Sequence, residues 1–282
     1  MHLFEAYLDP DLKKIMPWRD MTETELDYPW LRERFPTHHV YAKATVAELL
    51  GERMAKARSV QAQFLASVLL LNRGETFEVR LLPPEAQWSP AMGLAVGDLD
   101  GDGNEDLFLS QNFFGMRPAD GRMDAGRGLL LRGDGKGGFT PMSGQASGIK
   151  VYDEQRACAL ADYDADGRVD LAVTQNNGPT RLFHNVAGRP GLRVKLAGPP
   201  GNPDGIGAVM RLDFGERLGP AREVQAGSGF WSQNSSVQVL GAATDAVGIE
   251  VRWPGGKVIR GKFSAGAREI EVSVDGTVRV LK

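Results

Sequence analysis

The sequence of 282 residues contains one cysteine, Cys158, which excludes an intrachain disulfide and any zinc site built on clustered cysteines. A lone cysteine between Ala157 and Ala159 is expected in the core. An excess of one charge is also missing. There are 33 Lys and Arg against 36 Asp and Glu, a formal net charge of −3, so the basic surface of a generic polyanion binder is not there and nucleic acid is not an expected partner. No apolar stretch approaches the 18 or so residues of a membrane helix, and the run Val68 to Leu71 is bracketed by Ser67 and Asn72. The first residues, Met-His-Leu-Phe-Glu-Ala-Tyr, show no basic segment followed by an apolar one, so no leader is legible in them. G-x-S-x-G, H-E-x-x-H and Walker patterns do not occur, which leaves an enzyme reading without an anchor.

Glycine, by contrast, is abundant: 35 of 282 residues, about 12% against a usual ~7%, implying many tight turns and short strands. Residues 1–43 carry Pro10, Pro17, Pro29 and Pro36, which prevent any long helix. Thr45-Val46-Ala47-Glu48 is a capping-box pattern, and Val46, Leu49, Leu50, Met54 and Ala57 continue a helical stripe past Gly51. Val60, Ala62 and Phe64 then switch to period two, and strands are expected from residue 60 onward. Two hairpins follow, Val68–Asn72 with Phe77–Leu82 and Leu129–Arg132 with Phe139. Gly133, Gly135 and Gly138 match G-x-G-x-x-G, but Phe139-Thr140-Pro141 stands where a helix should begin, so this reads as a hairpin turn. Val186–Gly191 reads as a linker, and eight further strands are expected between Leu192 and Leu281, with Asp275-Gly276 as a type I′ turn.

Two segments resemble one another strongly. Asp98-Leu99-Asp100-Gly101-Asp102-Gly103-Asn104-Glu105-Asp106 and Asp162-Tyr163-Asp164-Ala165-Asp166-Gly167-Arg168-Val169-Asp170 are offset by 162 − 98 = 64 residues, with every aspartate in register. In D-x-D-x-D-G-x-x-D, side chains at positions 1, 3 and 5 of a tight loop converge, and the glycine at 6 permits the turn. The carbonyl at 7 and the carboxylate at 9 close a shell of oxygens. The expected ligands are Asp98, Asp100, Asp102 and Asp106 with the Asn104 carbonyl, and Asp162, Asp164, Asp166 and Asp170 with the Arg168 carbonyl. An all-oxygen set on a flexible loop favours Ca²⁺ over zinc, and over magnesium, which keeps its waters. An Asp-rich turn without metal is the plainer alternative, but four carboxylates gathered without a cation repel one another. An EF-hand is excluded, because position 12 is Leu109 or Val173 and the flanks are strand-like. His38 and His39 have no ligand partner at a recognisable spacing, and Asn234-Ser235-Ser236 matches a short glycosylation sequon.

The two loops, each leading into a strand followed by Asn112-Phe113-Phe114-Gly115 or Asn176-Asn177-Gly178-Pro179, resemble FG-GAP (VCBS-type) repeats, the calcium-bearing blades of integrin-α-like β-propellers. Gly205-Ile206-Gly207-Ala208, Arg222-Glu223-Val224, Gly227–Gln233 and Val251-Arg252-Trp253-Pro254-Gly255-Gly256 resemble the ASPIC/UnbV domain that often follows such repeats. The resemblance implies a mainly β chain: partial propeller blades with a short helical insertion, then a C-terminal all-β domain. The expected organisation is a partial blade and helical insertion over 1–59, repeat blades with two calcium loops over 60–187, and the ASPIC/UnbV-like domain over 192–282. Family propellers close with about seven blades, so a C-terminal part of a larger protein, or completion by self-assembly, is expected. The implied function is a noncatalytic extracellular or secreted scaffold or adhesion module holding two Ca²⁺ ions and binding a protein or glycan. The alternative is a carbohydrate-acting enzyme on a propeller, for which the sequence offers Trp88, Trp231 and scattered acids but no constellation.

Overall fold

In the computed structural model, which describes residues 3–117 and 120–282, the chain separates into two compact units, 1–65 and 66–282. The first unit opens with the hairpin β1 (Ala6–Leu8) and β2 (Ile15–Pro17) and continues as four short helices, α1 (Met21–Asp27), α2 (Leu31–Arg34), α3 (His38–Lys43) and α4 (Val46–Leu50). The prolines keep these helices short. Their apolar faces meet around Met21, Leu31, Phe35, Tyr41, Ala44 and Leu49. The capping box forms as its sequence implies: the Thr45 N–H donates to Glu48 Oε2 at 2.8 Å and the Glu48 N–H donates to Thr45 Oγ1 at 3.2 Å. The helix it starts ends sooner than the stripe implies. Gly51 takes φ +53° and the chain tightens into a 3₁₀ turn, Gly51–Lys56. Residues 60–64 form no strand: they pair with no strand among the described residues, and Val60 and Phe64 are 82% and 66% exposed.

The second unit begins with the hairpin β3 (Val68–Asn72) and β4 (Phe77–Leu81). A four-stranded antiparallel sheet follows: β5 (Ala91–Gly97), β6 (Asp106–Gln111), β7 (Leu129–Gly133) and β8 (Phe139–Pro141). After the one-turn helix α5 (Gly144–Ser147) comes a three-stranded sheet of β9 (Gln155–Ala161), β10 (Asp170–Gln175) and β11 (Gly178–Phe183). These three sheets stack as layers. Strand β6 is buried throughout. Phe108 faces Cys158, Leu160, Leu171 and Val173 of the next sheet, while Leu107 and Leu109 join Leu82, Ala86 and Leu69 on the other side. Cys158 is a core residue, as its neighbours imply, and burial raises its thiol pKa.

From Leu192 the chain builds two packed four-stranded sheets. One comprises β12 (Leu192–Ala197), β15 (Gln238–Leu240), β18 (Glu269–Ser273) and β19 (Val278–Val280). The other comprises β13 (Val209–Asp213), β14 (Arg222–Glu223), β16 (Gly248–Arg252) and β17 (Val258–Gly261). Period-two alternation directs Leu192, Val194 and Leu196, Met210 and Leu212, Ile249 and Val251, and Ile270 and Val272 into one shared core with Trp253. Every strand expected here forms, although the one at Arg222 is cut to two residues. At Asp275-Gly276 only the glycine has positive φ, +107°. The turn is therefore not type I′, which needs both central residues there. None of the sheets among the described residues closes on itself, and no helix among them is long and apolar enough to cross a membrane.

Candidate metal centre

Both acidic loops connect antiparallel strands at the same register. Gly97 pairs with Asp106 across β5 and β6, and Ala161 pairs with Asp170 across β9 and β10. Each loop winds about its first aspartate. Asp98 accepts N–H bonds from Gly101 (2.8 Å), Asp102 (3.0 Å) and Gly103 (2.8 Å); Asp162 accepts from Asp166 (3.1 Å) and Gly167 (2.8 Å). The third-position carboxylates of Asp100 and Asp164 accept from Asp102 and Asp166 at 3.0 and 3.2 Å. Asp102 and Asp166 in turn accept from Asn104 and Arg168, each at 2.8 Å. The ninth-position carboxylates reach back to position 2, with Asp106 taking Leu99 N–H at 2.9 Å and Asp170 taking Tyr163 N–H at 3.1 Å. Glycine is required at position 6, where Gly103 and Gly167 have φ of +90° and +88°.

This winding brings one oxygen each from Asp98, Asp100 and Asp106 together within 4.8 Å, and likewise from Asp162, Asp164 and Asp170. The fifth-position aspartates, expected as ligands, lie outside these triads. Asp102 turns toward Arg132 at 3.3 Å and Asp166 toward Arg168 at 2.5 Å. Asp166 also forms a cluster with Asp164 and His184. His184 and Arg132 carried no signal in the sequence pattern. Each sits near the end of a neighbouring strand, and His184 Nε2 lies 3.0 Å from Asp164.

Electrostatics separates the loops. Burial pushes the Asp98 carboxyl up to about 6, against the N–H bonds of Gly103 and Gly101 and with help from the charges of Asp106 and Asp102. Burial raises Asp106 and Asp170 as well. Asp166 moves the other way: burial alone would raise it, but the Arg168 N–H and guanidinium outweigh burial and bring it below its ordinary value. Carboxylate oxygens this close together repel one another, which a divalent ion would relieve, and an all-oxygen donor set suits a hard one. The residues present therefore fit a cation such as calcium at both loops.

The stretch 185–191 is no free linker. Asn185 Nδ2 donates to Leu99 O at 2.7 Å and to Val169 O at 3.0 Å, tying one loop to the other. Arg189 N–H donates to Asp100 O at 3.0 Å and Gly191 N–H to Gly167 O at 2.8 Å. The C-terminal sheets then cover the loops: Arg222 clasps both Glu105 oxygens at 2.7 Å, and the Arg193 guanidinium binds Asp162 Oδ2. Gly241 lies so close to Asp98 that a Cβ there would fall 1.7 Å from Oδ2. The other candidates lie elsewhere. His38 and His39 are exposed on α3, Trp88 and Trp231 are 57% and 91% exposed, and Asn234 uses its Oδ1 to accept the Leu160 N–H.

Comparison with known proteins matches residues 198–276, a little over a quarter of the chain, to the family described as ASPIC and UnbV. The matched stretch covers strands β13 to β18, so β12 and β19 flank it within the same pair of sheets. The chain is also similar to cartilage acidic protein 1 of Xenopus tropicalis, 28% identical over 130 residues, and to the human protein of the same name, 24% identical over 131 residues. These matches take in 45% and 46% of the chain and 18% of either relative, so the chain spans under a fifth of their length.

Proposed function

We propose that the chain is a noncatalytic, calcium-stabilised scaffold that presents a binding surface outside the cytoplasm, with two FG-GAP-type repeats carrying the ions and an ASPIC/UnbV-like β domain seated on them. The observation that carries the reading is the repetition of one loop geometry at Asp98–Asp106 and Asp162–Asp170, with three carboxylate oxygens converging in each. Asp98, Asp100 and Asp106 would hold one ion and Asp162, Asp164 and Asp170 the other, with backbone carbonyls and waters completing a shell of six to eight oxygens. Bound calcium supplies charge neutralisation and a cross-link between strands. The chain's own residues wind the loops and seat the C-terminal sheets. Extracellular modules bind calcium with Kd of about 10⁻⁴ to 10⁻³ M, so ~1 mM calcium stabilises by roughly 0.4 to 1.4 kcal/mol per site. That gain disappears at cytosolic calcium, which supports an extracellular setting, and a relative named for cartilage agrees with it. The partner, a protein or a glycan, is unidentified.

Thermal denaturation with and without ~1 mM calcium tests the proposal on the wild type, Asp98→Asn and Asp162→Asn. The expected result is a calcium-dependent rise of about 1–5 °C per occupied site in the wild type, by the usual 2–4 °C per kcal/mol, reduced in the variants. Identical melting with and without calcium would overturn it. A polysaccharide activity screen separates the scaffold from the alternative, an enzyme acting on carbohydrate: turnover by the calcium-loaded chain would replace the proposal.

A further inference from the structure

We infer that the two acidic loops are not equivalent, because Arg193 of the C-terminal sheets already supplies a cation to the second. The chain then holds one calcium tightly, at the first loop, and a second only weakly, in competition with the Arg193 guanidinium. The inference rests on the calcium reading proposed above.

The two first-position aspartates meet different neighbours. Asp162 is met by Arg193, whose Nη1 binds its Oδ2 and also reaches its backbone carbonyl at 3.3 Å, and the two side chains are 1% and 12% exposed. Arg193 is fixed by its place in the sheet. It lies on β12 in register with Glu269 of β18, and its Nε faces Glu269 Oε2 at 3.3 Å. Asp98 is met by Gly241, which offers no side chain. Arg222 of the C-terminal sheets is taken up by both oxygens of Glu105. The counterpart of Glu105 in the second loop is Val169 (105 + 64), which presents no charge. Around the second loop Arg168 pairs with Asp166 and His184 with Asp164, whereas the first loop has Arg132, half exposed, on Asp100 and Asp102.

A guanidinium and a calcium ion seek the same carboxylate oxygen. At the second loop, metal must share or displace a buried, doubly anchored arginine, and displacement leaves Glu269 without that partner. At the first loop nothing has to leave Asp98. Calcium at the second loop therefore also works against the contact that seats β12.

Calorimetric titration of the intact chain with calcium reads the difference. The expected wild-type result is one tight site and one at least tenfold weaker. Asp98→Asn should remove the tight site, and Arg193→Gln should tighten the weak one about tenfold. Terbium, which takes the same oxygen ligands, gives a loop-specific signal. Tyr163 stands in the second loop, where its ring packs 5.8 Å from that of His184, and the first loop has Leu99 at that position. Tyrosine-sensitised terbium emission lost in Tyr163→Phe should appear late in a wild-type titration and early in Arg193→Gln. If Arg193→Gln does not fold, Arg193→Lys, which keeps the charge without the fork, should give an intermediate order of filling. Two equal sites in the wild type, or an unchanged second site in the Arg193 variants, would overturn the inference while leaving calcium binding intact. No calcium binding at all would overturn the reading beneath it.

Discussion

At the scale of single residues, Asp98 makes stability depend on pH. Its folded carboxyl stands at about 6, above the ordinary 3.8, chiefly through burial. A raised folded value means that the protonated form is favoured by folding. Without calcium, its contribution is complete below about pH 4 and is lost as pH rises through about 6. The two-unit shift corresponds to at most about 3 kcal/mol. Calcium binds the ionised form, so its stabilising effect should grow across that same window. Melting curves between pH 4 and 7, with and without calcium, should diverge as pH rises, and Asp98→Asn should flatten both. Gly241→Ala is expected to cost about 1–3 kcal/mol in denaturant unfolding, because its Cβ would collide with Asp98 Oδ2. The triad aspartates were legible in the sequence because a nine-residue loop is a local object. Gly241 and Arg193 were not: they arrive from far along the chain, with nothing beside them to mark their role.

At the scale of elements, legibility followed burial. Strands β12, β13 and β18 of the C-terminal sheets alternate because one face enters a shared core, and period two made them legible. The same alternation at Val60, Ala62 and Phe64 misled, because an isolated alternating segment with no neighbouring strand gains nothing by extending. The helical stripe past Gly51 failed for a backbone reason: the chain takes a positive φ there and leaves the α conformation. The contrast between strand and loop is measurable. Phe108 is fully buried between two sheets, and Phe108→Ala should destabilise by about 3–5 kcal/mol. Trp231→Ser removes a side chain that is 91% exposed, and should stay within ~0.5 kcal/mol.

At the scale of the whole molecule, the layered sheets of the second unit end on an uncovered hairpin face. Strand pairing sets Leu70 opposite Val79 and Val68 opposite Leu81, and Leu70, Phe77, Val79 and Leu81 are 55%, 63%, 44% and 73% exposed. Such a patch binds hydrophobic dyes and promotes association. Dye fluorescence and light scattering should both fall in Leu70→Lys with Phe77→Lys; an unchanged monodisperse monomer in wild type and variant would argue against a sticky face. The interlock between loops and C-terminal sheets is a property of the whole, and the sequence hid it behind a stretch that reads as a linker. Anomalous X-ray diffraction from crystals of the intact chain grown with millimolar calcium measures the central claim most directly. The expected result is a calcium peak in the first loop, within about 2.3–2.6 Å of oxygens from Asp98, Asp100 and Asp106. A loop without a peak, its three carboxylates swung apart, would contradict it.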